Sequence, residues 1–291
     1  DNIYRIDLQL GPDTDPKEEA TEAKVRPRIT AIVGDAPFRI DWMSVYRFRC
    51  ARLNRFVHNR VIFAGDSAHV VSPFGARGGN GGIQDVDNLG WKLALVLQGK
   101  ASPELLESYN EARVEAADEN MFNSACATNF MTPRSSIERL FRDQVLALAA
   151  RHPFARKLIN SGRLSQPCVL SGSSLQTSGS APLSPGHALL DAPLTGRAGP
   201  AWLVTEAQGR FTLVTANDQP LPDITGIERI GIDQAESCYP CFADSEGCFK
   251  ARYGTAHIYL FRPDGHVCAV FDTPDVDAIV TAHNRAMGAT Q

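Results

Sequence analysis

Apolar and polar positions alternate from the start of the chain. Tyr4, Ile6, Leu8 and Leu10 are interleaved with Arg5, Asp7 and Gln9, the period-two pattern of a half-buried strand. A run rich in Asp, Glu and Pro from Gly11 to Ala23 predicts a solvated loop. Phe38 to Phe48, with Ile40, Trp42, Val45 and Tyr46, predicts a second extended segment. Residues 1–60 thus read as strands at the end of a sheet. Arg60-Val61-Ile62-Phe63-Ala64 is a short apolar run that stops at Gly65-Asp66, as a buried strand would.

The period then changes. After a glycine-rich loop from Ser72 to Gly82, the residues Ile83, Val86, Leu89, Leu93, Val96 and Leu97 recur at three- and four-residue spacing and predict a helix with that stripe inward. Gly99 is placed to end it. Ser102-Pro103-Glu104 predicts the next helix start, with Leu105, Tyr109, Ala112 and Ala116 as its buried stripe. Helical patterning continues from Ser136 to Ile159. From Ser161 to Pro185, Ser, Gly and Pro dominate and periodicity is lost, a linker signal. Strands follow at Ala201–Thr205, Phe211–Thr215, Arg229–Ile232 and His257–Phe261. Pro263-Asp264-Gly265 predicts a hairpin turn into Val267–Phe271, and Thr273-Pro274-Asp275 caps a last helix. This part reads as a compact α/β module of roughly a hundred residues.

Composition narrows the function classes. A formal net charge of -4 and the lack of a dense Lys/Arg run exclude a nucleic-acid surface. No apolar stretch approaches the length of a membrane span. Seven cysteines, an odd number, without a secretory signal point to free thiols in the cytoplasm. The opening Asp1-Asn2-Ile3-Tyr4 reads as a strand entered midway, which predicts a fragment or a processed chain.

Candidate chemistry concentrates between Arg60 and Leu97. Gly65 permits a sharp turn and close approach of the backbone to a ligand. Asp66, at a strand end, can accept hydrogen bonds from a sugar-like hydroxyl. Gly78, Gly79, Gly81 and Gly82 expose bare amides just before a helix whose positive end favours negative charge.

The ordered string Gly65-Asp66-Ser67-Ala68-His69, Pro73, Gly78-Gly79-Asn80-Gly81-Gly82-Ile83-Gln84-Asp85 and Asn88-Leu89-Gly90-Trp91-Lys92-Leu93 resembles the second flavin fingerprint of class A FAD-dependent aromatic-ring monooxygenases, the phenol hydroxylase and 3-(3-hydroxyphenyl)propionate hydroxylase group. The resemblance covers the carboxy-terminal half of such an enzyme. It implies that Asp66 bonds the ribityl chain of FAD, with Gly65 beside it among the cofactor-binding residues, and that Pro73 lies beside the isoalloxazine on the oxygen-reacting side. It also implies that the amides of Gly78, Gly79, Asn80 and Gly81 face flavin N1 and O2, in the manner of an oxyanion hole. The implied reaction uses NADH or NADPH as reductant and O2 as co-substrate. A flavin C4a-hydroperoxide then hydroxylates a phenolic small molecule, with no metal. His69 is either a proton-transfer group near the flavin or a satisfied loop histidine. Arg77 either attracts an anion or is solvated.

The family's Gly-x-Gly-x-x-Gly fingerprint and its second Asp-Gly motif are not present here, so the isolated chain is expected to be inactive. Asp264-Gly265 lies far downstream in a turn and is no substitute. Arg252-Tyr253-Gly254 and Leu260-Phe261-Arg262-Pro263-Asp264-Gly265-His266-Val267 resemble the thioredoxin-like tail domain of the phenol hydroxylase group. The implied organisation is the end of a substrate-domain β-sheet (1–60) and the C-terminal part of the FAD-binding domain (61–165). A linker (166–181) and a thioredoxin-like domain (182–291) follow, and the fold class is α/β (α+β). A homo-oligomer is compatible with the tail. The alternative is a non-catalytic piece whose tail serves assembly. Cys238-Tyr239-Pro240-Cys241 invites a redox reading, but that chemistry needs the first Cys at a helix amino terminus after an early strand. Zinc at Cys238, Cys241, Cys248 and His257 lacks a second Cys-x-x-Cys.

Overall fold

The structure is a computed structural model that describes residues 3–11, 13–73, 77–159, 167–234 and 238–289. Residues 1–48 and 49–291 form two units. The first contains two helices, α1 (Pro16–Glu19) and α2 (Glu22–Val33). Asp15 caps α1 by accepting from the Lys17 amide, and Pro16 takes the first helical position. The run expected as a solvated loop is therefore helical in part. The expected strands at 3–10 and 38–48 are not formed. Among the described residues of this unit none lies in a strand, and Ile3, Tyr4, Trp42 and Tyr46 are exposed. An alternating segment becomes a strand only beside a ladder partner and a surface to cover, and no described residue of this unit offers either.

The second unit opens with short antiparallel pairs. β1 (Ala51–Arg52) pairs with β4 (His69–Val70), and β2 (Val57–His58) with β3 (Val61–Ile62). Four helices follow: α3 (Arg77–Leu97), α4 (Glu107–Met131), α5 (Ser136–Ala149) and α6 (Pro153–Ile159). Gly99, at φ +68°, lies just past the end of α3. Ser102 accepts from the Glu104 amide at the start of a 3-10 turn, Pro103–Leu106, that leads into α4. The expected stripe of Leu105, Tyr109, Ala112 and Ala116 is buried. The helical stretch 136–159 is divided at Pro153, which has no amide to continue the ladder of α5 and opens α6 instead.

Two expectations about α3 are corrected. The helix starts six residues earlier than Ile83, so the glycines from Gly78 to Gly82 are its first turns and not a loop. Its burial also departs from the expected stripe, of which Leu89, Leu93 and Val96 are half-buried and Leu89 packs against the Phe56 and Tyr109 cluster. Gly81, Asp85, Asn88 and Lys92 face inward, whereas Ile83, Val86 and Leu97 are 70%, 63% and 78% exposed. Charge can lie inside because each polar group meets a specific partner, as described below.

Residues 167–185 carry no helix or strand yet are pinned. Cys168 and Leu170 pack on Ala112 and Ala116 of α4, and Ser171 and Ser174 donate to Glu115 and Glu111. Residues 160–166, the start of the expected linker, lie outside the described residues.

The remainder builds a five-stranded mixed sheet and a separate antiparallel pair, Pro193–Gly196 with Gly199–Trp202. The elements are β5 (Pro193–Gly196), β6 (Gly199–Trp202), α7 (Leu203–Ala207), β7 (Phe211–Thr215), β8 (Ile227–Ile232), β9 (Cys241–Phe242), α8 (Cys248–Tyr253), β10 (Ile258–Phe261), β11 (Val267–Phe271) and α9 (Val276–Ala286). The order across the five-stranded sheet is β11-β10-β7-β8-β9. β7, β8 and β9 run parallel, while β10 is antiparallel to both β7 and β11. Alternation sends Val214, Ile230, Tyr259 and Phe261 to a core with α7 and α8. Leu213, Ile258 and Leu260 go to the other face, with α9. The strand expected at Ala201–Thr205 turns into α7 after Trp202, because Leu203 and Ala207 bury together at helical spacing. Asp275 caps α9 by accepting from the Ala278 amide.

Candidate flavin site

Ala64 is extended, and Gly65 turns the chain at φ +59°, a conformation glycine adopts without strain, into a 3-10 turn over Gly65–Ser67. Ser67 Oγ donates to the Ala64 carbonyl at 2.7 Å and tightens this turn. The second turn of α3 lies against it. A Cβ on Gly82 would stand 3.4 Å from Gly65 Cα, so two bare backbones meet here.

Asp85 ties these pieces together. Its Oδ2 accepts from the Gly65 amide at 2.8 Å and pairs with His69 Nε2 at 2.7 Å, and its Oδ1 accepts from Arg113 Nε at 2.6 Å. Burial pushes this carboxyl up, but His69, Arg113 and the Gly65 amide outweigh it and hold Asp85 below the usual carboxylate range. Arg113, on α4, also reaches the Gly81 carbonyl at 3.3 Å. One buried carboxylate thus fixes the strand-end turn, β4, α3 and α4 together.

The structure places the expected site residues unevenly. Asp66 is exposed at the middle of the 3-10 turn. Gly79 and Asn80 are exposed on the first turn of α3, and a Cβ at Gly79 would meet nothing within 4 Å. Gly78 is half-buried and Gly81 is buried, with His69 Cε1 3.1 Å from where a Gly81 Cβ would stand. Pro73 is exposed, and its neighbour Ser72 is held on α4 by Ser124 and Thr128. Phe74 to Ala76 lie outside the described residues. His69 is buried rather than on the open side with Asp66. It stacks on Phe56 at 5.8 Å, and its Nδ1 has no hydrogen-bond partner among the described residues. Arg77 is neither solvated nor open to an anion, because it is buried and donates to Asn120 at 3.0 Å.

These features suit a flavin: the close approach of Gly65 and Gly82, a glycine-rich amino terminus of a 21-residue helix, and an exposed carboxylate on the adjoining turn. Arg113 and Asn120 were not singled out from sequence, and Asp85 entered only as part of the fingerprint string, without a role of its own. Arg113 was the most legible of them, since it follows Tyr109 by four positions on the stripe that α4 buries.

The Cys-x-x-Cys pair is not at a helix amino terminus. Cys238 is exposed, and Cys241 opens the edge strand β9. Among the described residues no group of three or more His, Cys, Asp or Glu could hold a metal ion, and no helix is long and apolar enough to cross a membrane.

Comparison with known proteins agrees with this geometry. Residues 3–124 match the FAD binding domain family. The relatives that the chain resembles include flavin-dependent aromatic-ring monooxygenases. It is 28% identical, over 92% of its length, to a 3-(3-hydroxy-phenyl)propionate/3-hydroxycinnamic acid hydroxylase of Mycolicibacterium gilvum, of which it covers 51%. It is 29% identical, again over 92%, to the anhydrotetracycline monooxygenase of Streptomyces rimosus, of which it covers 52%. The chain therefore spans about half the length of these curated relatives. Among solved structures it resembles the flavin-dependent monooxygenase PieE in complex with FAD and substrate. There the TM-score is 0.75 at 21% identity, covering 96% of this chain and 56% of that one, a likeness of fold.

Proposed function

We propose that this chain supplies one wall of the flavin site in an FAD- and NAD(P)H-dependent monooxygenase that hydroxylates a phenolic or other aromatic compound. The observation that carries the reading is the Asp85 contact with the Gly65 amide. It holds the exposed Asp66 turn against the glycine-rich amino-terminal turns of α3. When bound there, FAD would accept a hydride from NADH or NADPH and activate O2 for transfer to an aromatic ring.

The chain's own groups have separate tasks. Asp66 accepts hydrogen bonds from the ribityl hydroxyls. The amides of Gly78, Gly79 and Asn80, together with the positive end of α3, stabilise negative charge on the pyrimidine side of the ring. Pro73 shapes the adjoining wall. Gly81 leaves room for His69, which orients Asp85 through Nε2 and presents Nδ1 towards the cradle as a proton acceptor. The relatives' names support the aromatic substrate class. In the same reading residues 61–165 are the C-terminal part of the FAD-binding domain, and residues 182–291 are a thioredoxin-like domain without redox activity. That assignment is supported by the parallel β7–β8 pair beside antiparallel β10 and β11, and by Cys241 opening a strand and not a helix.

The test is a flavin titration of the full chain followed by desalting and a visible spectrum. Retained absorption that Asp66→Ala abolishes supports the reading. Retention unaffected by Asp66→Ala and by Gly79→Val overturns it.

A further inference from the structure

Asn88 and Lys92 continue the inward stripe of α3 beyond Gly81 and Asp85, and they meet a different partner. Asn88 Nδ2 donates to Asp264 Oδ2 at 2.8 Å, across 176 positions of sequence. Lys92 Nζ donates to Asn88 Oδ1, also at 2.8 Å. Asp264 lies in the β10–β11 turn, where Arg262 grips it through Nε to Oδ1 at 3.0 Å and Nη2 to Oδ2 at 2.9 Å. All four side chains are buried. The hairpin needs none of this burial for itself, since Arg262 and Asp264 would pair equally well on a solvated turn. Taking an ion pair out of water costs desolvation that apolar residues would not incur. What the buried pair adds is direction, because one carboxylate oxygen is aimed at one amide of α3.

Asn88 stands three residues after Asp85, about one helical turn along the same face. The face that Asp264 grips is therefore the face that presents Asp85 to the Gly65 amide. Trp91 adds a second contact on this side, edge-on to Phe211 of β7 at 5.6 Å.

We propose that Asp264 is a positioning residue for the Gly65–Asp85 corner, acting through Asn88 to set where α3 stands. Its value for cofactor binding rests on the flavin reading above, whereas the mechanical claim does not. The carboxy-terminal module then contributes to the site by way of the β10–β11 turn.

Hydrogen exchange of the full chain, followed by mass spectrometry, tests the proposal without any ligand. The variants are Asn88→Ala, Asp264→Asn, and the exchange of the two side chains in Asn88→Asp/Asp264→Asn. In the exchanged pair the amide and carboxylate trade places, and Lys92 still has an acceptor. Both single variants are expected to exchange roughly tenfold faster in the segment containing Gly65 and His69, and the double variant to regain most of the protection. Faster exchange confined to residues 258–271 would mean a role local to the hairpin and overturns the proposal. Loss of circular dichroism in both single variants without recovery in the double overturns it as well. Flavin titration of the same set separates the two readings. Equal, tight binding by wild type and variants keeps the flavin reading and removes the positioning role. No binding by wild type, with the exchange result intact, does the reverse.

Discussion

Arg113 Nε meets Asp85 Oδ1 at 2.6 Å with both side chains sealed from solvent, so α3 and α4 are joined by a charge pair where two helices would ordinarily share apolar contacts. Opposite Arg113, the same carboxylate serves Gly65 and His69. Removing it leaves a buried guanidinium without its counter-charge. Asp85→Asn should therefore cost about 3–5 kcal/mol, measured by urea unfolding at neutral pH. Its carboxyl is held below its usual range in the fold, so its contribution is fully present above the unfolded value of about 3.9 and is lost as pH falls through the folded value. The gap between wild type and Asp85→Asn should stay constant from neutral pH down to about pH 5 and narrow only in stronger acid. A gap that closes between pH 7 and 5 would refute the assignment.

The glycines of the site should separate by cause. Gly65 sits at φ +59°, so Gly65→Ala should lose about 1–2 kcal/mol to backbone strain alone, and Gly65→Asn less. Gly79→Ala has open space and a helical backbone, so it should gain up to about 1 kcal/mol in stability. Thermal unfolding of the three variants checks the order Gly79→Ala, wild type, Gly65→Asn, Gly65→Ala.

Lys92 is buried and held well below the usual lysine range, first by desolvation and next by Arg262. A lysine depressed in the fold costs stability as pH falls below its unfolded value near 10.4, because the unfolded chain then binds a proton that the fold does not. Wild type should therefore gain stability between pH 7 and 10 relative to Lys92→Met, by on the order of 1 kcal/mol. Parallel stability curves for the two proteins over that range would count against a depressed Lys92.

Thiol reactivity should follow burial. Cys50, Cys126 and Cys238 are exposed, whereas Cys168 and Cys268 are buried. Burial pushes both buried thiols up, Cys268 to about 12. Titration of the native chain with an aromatic disulfide reagent should show three fast thiols, identified by peptide mapping. Fast labelling of Cys268 would contradict the packing of β11 in the sheet.

Much of the second unit was legible because its patterns are local. Ser102-Pro103 marked a helix start, Leu105 to Ala116 marked its buried face, and Pro263-Asp264-Gly265 marked a hairpin. The flavin string was legible as an ordered resemblance. The orientation of α3 was not, because hydrophobic periodicity assigns Ile83, Val86 and Leu97 to the interior, and only distant residues reverse that. Arg113 and Asp264, 28 and 176 positions from their partners, satisfy Asp85 and Asn88, and no window of sequence contains both ends of either contact. The strands expected at 3–10 and 38–48 failed for a related reason, since a strand is defined by what lies beside it.

The length of α3 has a mechanical consequence. From Asn88 back to Arg77 the helix runs eleven residues, about 16 Å as a stiff rod. Tilting such a rod by about 4° about Asn88 swings its amino-terminal end by about 1 Å, and a misplacement of about 1 Å is enough to spoil a reacting geometry. The hairpin turn at Asp264 is thus a fulcrum, and small slack there is magnified at the glycine end of the lever.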